Sequence, residues 1–141
     1  MLVVLVRHAT AGDRASWRDD DRLRPLDDRG RRQAAALPTA LSGLSISRIL
    51  TSPYVRCVET VEPLAAALGL DLEEAAALAE GSARAEVLAV LSTVAAGTAI
   101  CTHGDVCHEL VGERRTPKGS AWVLDVGGRG VVPVRHIPAP V

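Results

Sequence analysis

The chain has 141 residues, a net charge of −1 and a hydrophobic share of 48%, which suits one globular domain of about 100–150 residues. No global basic field exists to draw in nucleic acid or an anionic membrane. Aromatics supply only 2% and Phe is absent, so Leu, Val, Ile and Ala must fill the core and little surface remains for stacking bases.

Leu2–Val6 (LVVLV) is a continuous apolar run of the kind that forms a strand buried on both faces. It stops at Arg7-His8, which places those side chains at the strand's carboxyl end. Gly12 to Asp28 is polar, with Asp19-Asp20-Asp21 and Pro25, and is expected to be a long, solvated loop bordering the entrance to any site there. Asp27 or Asp28 can cap the next helix, which carries Ala34-Ala35-Ala36-Leu37. Pro38 should kink, end or restart it.

Ile46–Thr51 is the second strand. Ser52-Pro53 then opens a helix, with Ser as N-cap and Pro in the first turn. Val55, Val58, Val61, Leu64 and Leu68 recur at three- and four-residue steps until Gly69 ends the helix. Leu70–Ala75 is a weaker strand. Ser82 caps a helix running through Ala85–Val94, with Gly97 marking its end. Thr98–Thr102 is the third clear strand and closes on His103-Gly104. Ala121–Val126 and Val131–Val134, parted by Gly127-Gly128, form a terminal hairpin. Strands alternating with helices of this length predict an α/β fold: a three-layer sandwich, its mainly parallel sheet flanked by helices, in a single domain spanning 1–141.

Nothing approaches the roughly 20 apolar residues that span a bilayer. The opening run is too short for a signal-peptide core and has no basic segment before it. Cys57, Cys101 and Cys107 are odd in number and lack paired spacing, which favours reduced thiols over a disulfide framework. The expectation is a soluble, cytoplasmic protein with no nucleic-acid or membrane partner.

Ligands of open α/β sheets bind beyond the carboxyl ends of the strands. Three segments deliver Arg7 and His8, Arg56, and His103 to that edge. Two imidazoles and two guanidiniums make a cationic hole sized for a tetrahedral dianion. The arginines already offset phosphate charge, so no metal or other cofactor is required. Cys101, His103, Cys107 and His108 lie close in sequence and invite a zinc reading. Strand alternation turns Cys101 away from its neighbours, however, and no second ligand pair exists at standard spacing. Individual arginines are judged by position, because Lys118 is the only lysine among sixteen basic residues.

Val6-Arg7-His8-Ala9-Thr10 resembles the Arg-His-Gly signature of the histidine phosphatase superfamily, the group that includes phosphoglycerate mutase, with Ala9 in place of the usual Gly. Thr51-Ser52-Pro53-Tyr54-Val55-Arg56-Cys57-Val58-Glu59-Thr60 is similar to its second signature, and Thr102-His103-Gly104 matches the second-histidine signature. Lys118-Gly119-Ser120-Ala121-Trp122-Val123-Leu124 is similar to a C-terminal pattern of the short, phosphohistidine phosphatase-like bacterial branch. The chain also looks like the C-terminal half of certain actinobacterial two-domain proteins that begin with a Nudix domain, and it carries no Nudix segment itself.

The resemblance implies a phosphoglycerate mutase-like fold and a phosphatase working through a covalent phosphohistidine on His8. It implies that Arg7, Arg56 and His103 hold phosphate oxygens, to which the Gly104 N–H adds a further donor if a helix begins after His103. An acid between the second arginine and second histidine protonates the leaving group in larger members, a place that Glu80 fills; Asp105 is the rival. A phosphohistidine substrate needs no such acid, since imidazole is easily protonated as it leaves. The expected substrate is a phosphorylated protein or a small phosphorylated molecule, with a phosphohistidine foremost and a phosphomonoester or nucleotide as alternative. A catalytically silent phospho-ligand module and a mutase are the remaining readings, the mutase disfavoured by loops too short for a water-excluding lid. Lys118 is either a substrate contact or a surface turn lysine, and His136 is expected to be structural or exposed.

Overall fold

The computed structural model describes residues 1–140. Six strands, β1 (Leu2–Arg7), β2 (Arg48–Thr51), β3 (Leu72–Glu74), β4 (Thr98–Thr102), β5 (Ala121–Gly127) and β6 (Gly130–Ile137), form one sheet in the order β3-β2-β4-β1-β5-β6. The first four are mutually parallel, while β5 runs antiparallel to β1 and β6 antiparallel to β5. Four helices, α1 (Asp28–Ala40), α2 (Val55–Leu68), α3 (Arg84–Leu91) and α4 (Gly104–Val111), cover its two faces.

The unbroken apolar run of β1 is explained by this sandwiching. Val4 and Val6 join Ile49, Ala99 and Cys101 beneath α1 and α2, where Leu37, Leu41, Val61 and Leu64 close the layer. Val3 and Leu5 point the other way, with Leu50, Ile100 and Leu124, to meet Val87, Leu91, Val106 and Leu110 of α3 and α4. Each Val, Leu or Ile side chain among these contributes about 1.5–3 kcal/mol on removal from water. Because side chains alternate, a one-residue slip in β1 would exchange the two layers and displace Arg7 and His8 as well.

Several boundaries differ from expectation. β2 starts at Arg48 and β3 at Leu72, each two residues later than the apolar pattern begins. Pro38 sits in the last turn of α1, which ends at Ala40. α2 begins at Val55, so Ser52 is not its N-cap; that position belongs to Tyr54, which has no capping side chain. The Ser52 N–H still donates to Cys101 O at 2.9 Å, as if β2 continued. α3 spans Arg84–Leu91 with Ala83, not Ser82, at its N-cap, because Glu86 Oε1 accepts the Ala83 N–H at 3.0 Å. The β5–β6 hairpin turns at Gly128-Arg129, one residue beyond the expected Gly127-Gly128.

Candidate active site

The carboxyl ends of β1, β2 and β4 meet at one edge. Strand pairing fixes the join: His8 N–H reaches Thr102 O at 3.0 Å and Arg7 N–H reaches Ser120 O at 3.0 Å. The turn carrying Lys118-Gly119-Ser120 clamps the segment from above, with Gly119 N–H donating to His8 O at 3.0 Å. Below, Ala9 N–H donates to Thr60 Oγ1 at 2.9 Å, and Gln33 Oε1 accepts from both Thr10 N and Thr10 Oγ1. His8 is therefore held by α1, α2 and the 118–120 turn together.

His8 Nδ1 lies 2.8 Å from Ala9 O. A carbonyl can only accept, so Nδ1 carries the hydrogen and Nε2 keeps its lone pair. Burial lowers the basicity of His8 to about 3 against the opposing Ala9 bond, and His103, Arg56 and Arg7 push it in the same direction. The ring is thus neutral at physiological pH. It lines a cleft of about 610 Å³ together with Arg7, Arg14, Glu80, Gly104 and Lys118.

His103, 1% exposed, stands edge-on to His8 with ring centroids 5.4 Å apart. Arg56 is fully buried; its Nη1 donates to Asp21 O at 2.8 Å, and its Nη2 donates to Asp21 Oδ2 at 3.1 Å and faces Glu80 Oε2 at 3.6 Å. Arg7 Nη1 donates to Thr116 O at 2.9 Å. Both guanidiniums are pinned at their tips, while Arg7 Nε, Arg56 Nε and His103 Nδ1 are buried with no protein partner. Buried polar atoms are nearly always matched. Three unmatched nitrogens from the residues packed around His8 suit the non-bridging oxygens of a tetrahedral anion. α4 begins at Gly104 with no side-chain cap on its first turn, so its N–H groups add a positive end beside His103.

The histidine phosphatase superfamily (branch 1) pattern matches residues 3–88. The chain belongs to this superfamily. Among relatives of this histidine phosphatase domain is an 8-oxo-(d)GTP phosphatase of Mycolicibacterium smegmatis, 35% identical over 98% of this chain and 48% of the relative. The chain thus spans about half the length of that curated relative. Among solved structures, the protein histidine phosphatase SixA in complex with tungstate superposes with a TM-score of 0.79 at 22% identity, covering 97% of this chain and 96% of the other. The alpha-ribazole phosphatase of Shigella flexneri gives 0.75 at 15% identity, covering 98% and 96%. At these identities the likeness establishes the phosphoglycerate mutase-like fold.

Of the six residues expected at the site, Arg7, His8, Glu80 and Gly104 line the cleft, while the buried Arg56 and His103 join it through Glu80 and His8. Lys118 also lines the cleft and makes no ion pair among the described residues. Asp21 corrects the expectation of a merely solvated acidic run: it binds Arg56, Arg24 at 3.0 Å and Arg14 at 3.6 Å, making one loop carboxylate the hub of three guanidiniums. Arg14 and Arg24 were not singled out by sequence; in a chain this rich in arginine nothing local sets them apart. Cys101 and Cys107 pack on opposite faces of the sheet and His108 projects outward, so the residues of the zinc reading diverge. His136 packs its ring 4.8 Å from Trp122, a structural place. No helix among the described residues is long and apolar enough to cross a membrane.

Proposed function

We propose that the chain is a metal-independent phosphatase in which His8 Nε2 attacks phosphorus in line, forming a phosphohistidine as the bond to the leaving group breaks. Water then attacks the phosphorus, frees phosphate and returns the electron pair to Nε2. Arg7, Arg56, His103 and the Gly104 N–H hold the non-bridging oxygens and stabilise the charge of the transition state. The observation that carries this reading is the 2.8 Å bond from His8 Nδ1 to Ala9 O, which leaves Nε2 unprotonated among cationic groups.

A phosphohistidine is the substrate this arrangement suits best. Glu80 Oε1 accepts from Arg14 Nη2 at 2.9 Å and its other oxygen faces Arg56. Asp105 Oδ2 accepts the Gly81 N–H at 2.7 Å. Both candidate acids are engaged as acceptors, which favours a leaving group that needs no carboxylic acid. Imidazole is such a group. The relative that acts as an 8-oxo-(d)GTP phosphatase favours a second reading, a nucleotide or other phosphomonoester, with Glu80 as general acid. The three free, buried thiols fit a cytoplasmic setting.

Acid-labile, base-stable label on enzyme quenched during turnover of a labelled phosphohistidine peptide is the expected result; the same label on His8→Ala would sink the proposal. Glu80→Ala should keep phosphohistidine hydrolysis within a few-fold. Loss of that activity would make Glu80 a required acid. Selective loss of phosphomonoester hydrolysis would assign it the acid role for esters only.

A further inference from the structure

We infer that Ser52 is a positioning residue that holds His103 in the tautomer with hydrogen on Nδ1, so that the unmatched Nδ1 is a donor to substrate phosphate. The inference rests on the proposed role of His103 at the phosphate.

Ser52 Oγ lies 2.8 Å from His103 Nε2 and accepts the Tyr54 N–H at 3.2 Å. The side chain is fully buried, and its one further polar neighbour is the Cys57 thiol. With a lone pair already taken by Tyr54, the hydroxyl hydrogen has His103 Nε2 as its closest and strongest acceptor, the Cys57 sulfur being the weaker alternative. If Nε2 carried the proton instead, the hydroxyl hydrogen would be left with only a weak sulfur acceptor, and Nδ1 would offer the phosphate a lone pair in place of a donor. Both outcomes are unfavourable. The Nδ1–H tautomer removes both, and it makes the unmatched, buried Nδ1 a donor.

Register brings the pair together. Thr51 pairs with Cys101 in the β2–β4 ladder, and Ser52 N–H continues it to Cys101 O at 2.9 Å. Ser52 and His103 are thereby the residues that leave two neighbouring parallel strands side by side. Tyr54 packs edge-on against the His103 ring, centroids 4.7 Å apart, so the imidazole cannot swing away from the hydroxyl. One other group approaches Nε2: Cys57 Sγ at 3.5 Å. Burial raises the Cys57 thiol, but its contacts with Cys101 and His103 draw it below its ordinary value on balance. It is the competing proton source, which would make His103 an imidazolium.

Ring nitrogen resonances of protein labelled with 15N-histidine distinguish these states directly, with His103 assigned through variants of the other three histidines. The expected pattern for the free wild-type enzyme is a protonated Nδ1 and an unprotonated Nε2. A protonated Nε2, alone or together with Nδ1, overturns the proposal whatever the enzyme's activity. Ser52→Ala should mix the two tautomers and lower kcat by about 10- to 100-fold, less than loss of a whole oxyanion donor, with KM changed much less. Ser52→Thr, which keeps the hydroxyl, should restore both the spectrum and kcat. An unchanged His103 spectrum in Ser52→Ala rejects the role even if that variant is less stable. Because the spectrum is taken without substrate, failure here is separable from failure of the His8 labelling experiment.

Discussion

The Arg7 guanidinium packs against the Cα of Gly104 so closely that a Cβ there would stand 2.7 Å from Nη2 and 2.8 Å from Cζ. No real Cβ makes such contacts, so a side chain at 104 must move Arg7. Arg7 is tied by its Nη1 to Thr116 O at 2.9 Å, and that bond would break or stretch. The glycine of the His103-Gly104 pair thus serves the arginine that arrives on a different strand. Gly104→Ala is expected to lower kcat/KM about 100-fold, the size of losing one aligned oxyanion donor. The melting temperature should move by only about 3 °C, because the end of a flexible side chain absorbs the clash. Steady-state kinetics and a thermal melt on the same preparation check both halves.

His8 makes stability depend on pH in a definite direction. Its ordinary value of 6.5 falls to about 3 in the folded protein, chiefly through burial. Between these values the unfolded chain binds a proton that the folded chain refuses. Stability from this residue is complete above 6.5 and is lost as pH falls toward 3. The loss between pH 8 and 5 is about 2 kcal/mol. Urea titrations of wild type and His8→Asn at both values should show a smaller decline in the variant. Equal declines would mean that His8 is not held neutral in the free enzyme.

A third expectation concerns how the His8 segment is seated. A Cβ on Gly30 of α1 would collide with the Thr10 carbonyl oxygen, which is backbone and cannot step aside. That carbonyl also accepts the Asp27 N–H at 3.1 Å as the helix begins. Gly30→Ala should therefore cost about 1–3 kcal/mol, the scale of overpacking, and should impair turnover by shifting Ala9-Thr10. Gly43, with open space around a Cβ, is the control: Gly43→Ala should fall within about 0.5 kcal/mol of wild type. Chemical denaturation of the pair separates a steric requirement from a general intolerance of alanine.

What could be seen in the sequence was whatever lies on one continuous stretch. The Leu2–Val6 run, the strand-end placement of Arg7 and His8, and the α2 periodicity depend on neighbours in the chain, and each appears in the fold. Asp21 could not be found that way: Arg24 is three residues on, but Arg56 lies 35 residues off and is joined to it only by the fold. Ser52 was misjudged for the same reason. Its Ser-Pro context gives a strong local helix-start signal, yet the bond from its N–H to Cys101 O ties it to β4 and sets its hydroxyl beside His103. Even the helix after His103 was only conditional, because Gly104-Asp105 is equally at home in a turn.

The pocket's affinity for a tetrahedral anion can be measured apart from turnover. A ligand that binds only the folded state stabilises it by about 2.7 kcal/mol at 100 times its dissociation constant, enough to raise the melting temperature by several degrees. Tungstate or inorganic phosphate should do so for wild type. Arg56→Ala removes a buried guanidinium whose Nη atoms are held by Asp21 and whose Nε is unmatched. Asp21 keeps Arg24 and Arg14 as partners in that variant, so the fold should survive with reduced stability. The anion-induced shift, however, should vanish. His8→Asn keeps both guanidiniums and should retain most of it. An anion shift that persists in Arg56→Ala and disappears in His8→Asn would mean that the anion is held by the imidazole and that the arginine only braces the Asp21 loop.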